Sequence, residues 1–324
     1  MTTPIVEKYG SLSAVGIAKE TTFGTPVTPT SFVPFTDVTL ESDPGLFFPQ
    51  VVMGIRDVNV FALYGEYKHA GDVSAPFFPT NGLELFVAAI GSDTVTSASG
   101  GKYLHTIAAA NSLNSMTVEK NIGGYQSLQF AGSKVGKYNV KASAGDNAVE
   151  FTASLVSKSA TVLDTPSSPI SVVNESPFVF AEAELSVFGN TNLIQVTSVS
   201  IDIENGLKPT YTFNGSHDLQ FLTPLTRKVT GQIQVVFDSL DDTDWGYYTK
   251  LMNGTQGSLN VSFTHPSGQA MTITLPQINL SKYADDIKMD NVVMSTLDFE
   301  ASYDLATATA SIGATVTNLV STAY

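Results

Sequence analysis

Residues 36–46 read TDVTLESDPGL, and residues 197–207 read TSVSIDIENGL. The two align without a gap: Val38 falls on Val199, Leu40 on Ile201, Gly45 on Gly206 and Leu46 on Leu207, an offset of 161 from 45 to 206. In the second segment Thr197, Val199, Ile201 and Ile203 share one parity, and Ser198, Ser200 and Asp202 the other. Successive side chains of a strand point to opposite faces, so this spacing predicts a strand with one buried and one wet face.

The correspondence extends in both directions. Upstream, AKETTFG (18–24) resembles AELSVFG (183–189). Downstream, Gly71 falls on Gly231 and Phe77 on Phe237, an offset of 160. Two segments with helical spacing follow. In TNGLELFVAAIG (80–91), Leu83, Phe86, Val87 and Ile90 recur at i, i+3, i+4 and i+7, Thr80 or Asn81 can cap, and Gly91 stops the helix. In DDTDWGYYTKLMNG (241–254), acidic residues open the helix, Trp245, Tyr248 and Met252 form a face, and Asn253-Gly254 end it. Gly91 and Gly254 differ by 163, and Phe151 falls on Phe299 at an offset of 148. Matches in one order around a helix in the same place predict an internal duplication. The shorter last offset is read as the polar insert SDTVTSASGGKY (92–103), present in the first copy only.

Alternating, β-branched runs bounded by Gly or Pro fill most of the remaining chain, including VEFTASLV (149–156), GQIQVVF (231–237), GSLNVSF (257–263), MTITLPQINL (271–280) and STLDFEASY (295–303). Residues 159–177 carry three prolines and five serines, which is linker chemistry. The expected organisation is a mainly β chain of two tandem α+β units, residues 1–163 and 178–324, joined by a linker at 164–177. Each unit is a curved antiparallel sheet or sandwich with one flanking helix.

Composition narrows the function. Of the 324 residues 43% are hydrophobic and 14% charged, enough to bury a core and unlike a disordered chain. A net charge of −14 argues against gripping nucleic acid, which requires Lys and Arg to neutralise phosphates, but not against letting it pass. With no cysteine, disulfides, thiolate metal sites and Cys nucleophiles are excluded. No basic-then-apolar leader opens the sequence and no apolar run is long enough to span a membrane, so synthesis and folding in a cytoplasm are expected, without membrane contact. His69, His105, His217 and His265 show no metal spacing and are read as solvated loop residues. No phosphate loop, dinucleotide fingerprint or nucleophile elbow is present, so no enzyme, metal or cofactor is expected.

The stretches GIAKETTFGTPVTPTSFVPFTDVTLESDP (16–44), GDVSAPF (71–77), LFVAAIG (85–91) and MTITLPQINLSKYADDIKMDNVVMSTLDFEASYD (271–304) resemble the tail tube proteins of long-tailed bacteriophages. The resemblance implies a virion protein whose rings stack into a hollow tube through which DNA leaves the head. Single-domain members form hexameric rings, so a duplicated member implies a trimeric, pseudo-sixfold ring. It further implies as partners other copies of the chain, the tape measure protein, tail terminator and tip proteins, and DNA in transit without specific binding. Candidate acidic lumen residues are Glu41, Asp43, Asp202, Glu204, Asp298 and Glu300; each is equally well read as an ordinary solvent-facing carboxylate. The resemblance also implies that the long segments 47–70 and 208–228 form the loop that contacts the adjacent ring. Phe47, Phe48, Val51, Phe61, Tyr64, Tyr211, Phe213, Phe221 and Leu222 are its candidate anchors, or else cover their own core. Two other readings stay open: a head-decoration or adhesin-like virion protein, and a carbohydrate-binding β-sandwich using Trp245 and nearby carboxylates.

Overall fold

The computed structural model describes residues 7–57, 59–145, 148–191, 195–242 and 246–324. The first half runs β1 (Ala14–Lys19), β2 (Ser31–Val33), β3 (Asp37–Val38), β4 (Glu41–Asp43), β5 (Leu46–Phe47), β6 (Leu63–Tyr64), β7 (Lys68–Pro76) and helix α1 (Leu83–Ile90). It continues through β8 (Gly91–Ser97), β9 (Tyr103–Ala109), β10 (Met116–Ile122), β11 (Gln126–Ser143), β12 (Glu150–Ser157) and β13 (Ser159–Leu163). The second half runs β14 (Ala183–Val187), β15 (Val196–Glu204), β16 (Leu207–Thr210), β17 (Phe221–Pro224), β18 (Lys228–Val236) and helix α2 (Tyr247–Met252). It ends with β19 (Gln256–Thr264), β20 (Ala270–Asp286), β21 (Met294–Ala301) and β22 (Gly313–Asn318). The chain is thus mainly β with two short helices, as alternation predicts.

One antiparallel sheet crosses both halves. Its order is β3 and β4 together on β7, then β12, β11, β15, β18, β21 and β20, eight positions when β3 and β4 share one. The middle seam is β11 against β15, from Lys137 opposite Glu204 to Ser143 opposite Ser198. The long strands β11 and β20 change partners midway. The first part of β11 lies between β10 and β13, the rest between β12 and β15. The first part of β20 lies between β19 and β22. Its last part pairs with β21 on one edge, and residues 280–286 have no strand on the other, among the described residues. The first-half hairpin β8–β9 adds to the second half through β22, from Gly313 opposite Ala108 to Asn318 opposite Tyr103.

The inward face of this sheet is the core. Tyr138 and Phe151 stack at 5.3 Å between centroids, and Phe77 meets Phe86 and Phe151 edge-on at 5.9 Å. Helix α1 lies over β11. Leu85, Ala88 and Ala89 are buried along with the expected Leu83, Phe86, Val87 and Ile90, so this helix is apolar nearly all round. Its start differs from the sequence expectation. Neither Thr80 nor Asn81 caps it by its side chain. Glu175 Oε1 instead accepts the Thr80 and Asn81 backbone N–H groups at 2.8 Å each, a negative charge at the positive end of the helix. Glu175 comes from the expected linker, which is therefore bonded to the body. Ser167 is held likewise, donating its N–H to the buried Glu119 Oε1 at 2.8 Å. In α2 the expected face is not the buried one. Tyr247 is buried while Tyr248 and Met252 are exposed; Trp245 lies outside the described residues.

Two glycines permit close strand crossings. A Cβ on Gly71 would meet the backbone of Leu40, and one on Gly231 would meet Ser200 O and the Phe299 ring.

Candidate assembly surfaces

The outward face of the eight-position sheet is polar. Alternation turns Ser198, Ser200, Asp202 and Glu204 of β15 outward while Val199, Ile201 and Ile203 pack inward. Of the six carboxylates named from the sequence, four lie on this face, and three of them are joined across strands. Asp202 Oδ1 is 3.3 Å from Lys137 Nζ and accepts from Asn139 Nδ2 at 3.1 Å. Glu300 Oε2 is 3.5 Å from Lys228 Nζ, Asp298 Oδ1 accepts from Gln232 Nε2 at 2.8 Å, and Glu204 sits opposite Lys137 and Lys228 in register. Glu41 and Asp43 lie apart from these, on the exposed β4, with Asp43 opposite Lys68. The lysines are what sequence reading missed. Lys137, Lys141 and Lys228 interleave with the acids, so the face is mixed in charge rather than uniformly acidic. Their parity within β11 and β18 was a usable signal.

The sheet has two open ends. At one, among the described residues, β3 and β4 pair only with β7. At the other, residues 280–286 of β20 lack a strand on one edge, among the described residues. An unpaired edge offers a row of backbone donors and acceptors to another chain.

Two arms leave the sheet. One is carried by β5 and β6, the other by β16 and β17. Phe47, Phe48, Val51, Phe61, Tyr64, Phe213 and Phe221 are all exposed there. Two named anchors are not available. Leu222 is 3% exposed, because the alternation of β17 turns it inward while Phe221 and Thr223 point out. Tyr211 is engaged within the chain: its hydroxyl donates to Tyr67 O at 2.9 Å. The second arm grips the base of the first. Tyr67 N–H donates to His217 O at 2.9 Å, His217 Nδ1 donates to Gly65 O at 2.7 Å, and the two rings stack at 4.8 Å. A shallow pocket of about 320 Å³ remains between the arms, lined by Gly65, Glu66, Tyr211, Phe213 and His217 among others.

The halves are also locked beneath the seam. Asn205, buried, donates through Nδ2 to Ala89 O in α1 at 2.9 Å and to Val135 O in β11 at 3.1 Å. Arg227 Nη2 donates to Ile90 O at 2.8 Å and Ala110 O at 2.6 Å, so a cation meets the negative end of α1. Burial lowers the pKa of this guanidinium.

The histidines correct the expectation of solvated loops. His69 and His105 are buried in strands. His105 alternates in phase with the buried Ile107, a signal legible in YLHTIAA. Its Nδ1 meets Asp93 Oδ2 at 2.8 Å, and its Nε2 faces Asn318 Oδ1 and Val320 O at 3.0 Å each, fastening the end of the chain to the β8–β9 hairpin. His69 lies between Ser42 Oγ at 2.8 Å and Asp218 at 3.4 Å. Among the described residues no three His, Asp or Glu side chains gather as a metal site.

A polar sheet face, open strand edges and exposed apolar arms form surfaces for assembly. A family model described as phage tail tube protein matches residues 10–301. The chain belongs to the phage tail tube protein family. Comparison with curated proteins finds no match. As a tail tube family member the chain is a structural protein of the virion tail.

Proposed function

We propose that this tail tube protein is a tandem duplication whose copies close, three to a ring, around a channel for DNA. The units are residues 1–163 and 178–324, joined through 164–177. The observation that carries the reading is the β11–β15 seam, where a strand of one half pairs with the first sheet strand of the other. The sheet order β3/β4–β7–β12–β11 then recurs as β15–β18–β21–β20. The edge of β20 left open corresponds to the edge of β11 that takes β15, and open β3/β4 corresponds to β15. The free ends are thus the two halves of one more seam, suited to pairing copy with copy. Gly71 and Gly231 support the same repeat, since each admits a close crossing at the corresponding strand.

Three sheets of eight positions make 24. At a strand spacing of about 4.8 Å and a tilt of about 35–45°, that closes a barrel roughly 45–50 Å across between backbones. Inward side chains leave room for a duplex. The polar face lines the channel, with Asp202, Glu204, Asp298 and Glu300 on it and Glu41 and Asp43 at the seam between copies. Two of its lysines lie against carboxylates, Lys137 by Asp202 and Lys228 by Glu300, which lessens the positive charge that phosphates would meet. Stacking of rings employs arm residues that contacts within a ring leave uncovered, such as Phe47, Phe48, Tyr64 and Phe213. Tape measure, terminator and tip proteins are the further partners, and DNA passes without specific binding.

Negative-stain microscopy of the purified chain tests the reading. Rings with threefold or pseudo-sixfold symmetry, or tubes built of them, are expected. Monodisperse monomers across a range of salt and protein concentration would sink it.

A further inference from the structure

Within the ring just proposed, on which this step rests, we infer that the β5–β6 arm is a lateral clasp that seats on the Phe221–Leu225 stretch of the preceding copy. The precedent lies inside the chain. The β16–β17 arm leaves its own half and grips the base of the β5–β6 arm through Gly65 and Tyr67. If the seam between copies repeats the internal seam, the β5–β6 arm reaches back onto the second half of the preceding copy in the same way.

The place where it lands follows from register. Asp43 opposite Lys68 corresponds to Glu204 opposite Lys228. A Cβ on Gly45 would meet the backbone of Glu66, and one on Gly206 the backbone of Thr226. Glu66 and Thr226 are therefore equivalent, and the gripped Gly65 corresponds to Leu225.

The chemistry of the two sites differs in a matched manner. Inside the chain a polar arm meets a polar base through hydrogen bonds and a ring stack. At the other site the base is apolar, with Phe221 60% and Leu225 61% exposed. The arm that would reach it is apolar too, exposing Val51, Ile55 and Phe61. Among the described residues nothing within one copy covers either set, and each would remove the other from water. The segment between β5 and β6 is also longer than that between β16 and β17, so reach is sufficient.

The absence of cysteine makes the test clean. Leu225→Cys is combined in one chain with Val51→Cys, Ile55→Cys or Phe61→Cys in turn. A seam control carries Asp43→Cys with Lys282→Cys, positions equivalent to the internal pair Glu204 and Lys137. Assembled protein is oxidised mildly and run on denaturing, non-reducing gels. At least one arm pair is expected to give covalent dimers and closed-ring species that stop at the same size as the seam control, several-fold above Leu225→Cys alone. A ladder running past that size overturns the clasp, because the arm then joins different rings. So does the absence of larger species from every arm pair, with or without loss of thiols, when the seam control links. If the seam control itself fails to link, the ring fails and the clasp with it.

Discussion

Asn205, buried beneath the seam, ties the two halves together through its side-chain amide. Its buried amide is the donor for two carbonyls, Ala89 O and Val135 O, which belong to the helix and the sheet of the other half. Asn205→Ala removes this donor from both. A buried acceptor deprived of its donor costs about 1–3 kcal/mol, and partial relaxation brings the pair to about 2–4 kcal/mol. At about 2.1 cal/mol/K per residue over 324 residues, the unfolding entropy is about 0.7 kcal/mol/K, so Tm should fall by roughly 3–6 °C. Asn205→Asp should be worse at neutral pH, since a carboxylate would face two carbonyl oxygens. Burial raises that aspartate's folded pKa, so its penalty is small in acid and grows as pH rises. Calorimetry of both variants at acid and neutral pH measures this. A Tm within about 1 °C of the parent for the alanine variant, or an aspartate variant equal to it at neutral pH, would refute the account.

Four further outcomes are expected. Burial raises the pKa of Glu84 from its ordinary 4.5, and Glu84 Oε2 has no hydrogen-bond partner among the described residues, so Glu84→Gln should stabilise the chain near pH 7, with the gain vanishing below about pH 4.5; urea titrations at the two pH values check the sign. Burial above all, with neighbouring Asp285, pushes Tyr283 from 10.0 up to about 12; an unfolded phenol ionises first, so its contribution to stability is full below pH 10 and lost as pH rises towards 12, which phenolate absorbance and base denaturation would follow together. Gly231→Ala should cost about 1–3 kcal/mol, because Ser200 O and the Phe299 ring occupy the space of the new methyl group; an unchanged denaturation midpoint would contradict the close crossing. In the proposed ring Lys282→Glu sets a like charge beside Glu41 and Asp43 across the seam, weakening each junction by about 0.2–1 kcal/mol in a salt-sensitive way; sedimentation at low salt should show weaker assembly, and undiminished assembly would count against that seam.

Much of the architecture was legible because strand alternation is a local signal. β15, β18, β19 and β21 lie where the apolar parity places them. Helix α1 was legible from its spacing, though not its cap: Glu175 is brought to Asn81 by the path of the chain. The assembly surfaces were legible only in part. Acidic positions could be named, but Lys137 reaches Asp202 across 65 residues, from 137 to 202, and no local pattern announces that pairing. Leu222 points inward for a reason that its own strand does not reveal. A four-residue strand alternates too briefly to settle which parity is inward until its neighbours are placed.

The sequence by itself determined the class of molecule: mainly β, acidic, without cysteine, and similar to tail tube proteins over most of its length. These properties rest on composition and short-range periodicity, which each residue carries regardless of its neighbours in space. Only the tertiary structure decided which edges are satisfied. β11 finds β15 at its free edge, while the matching edge of β20 finds nothing among the described residues. Backbone donors and acceptors are the same at every residue, so pairing at a strand edge leaves no mark on the sequence; it depends on which strand the fold brings alongside.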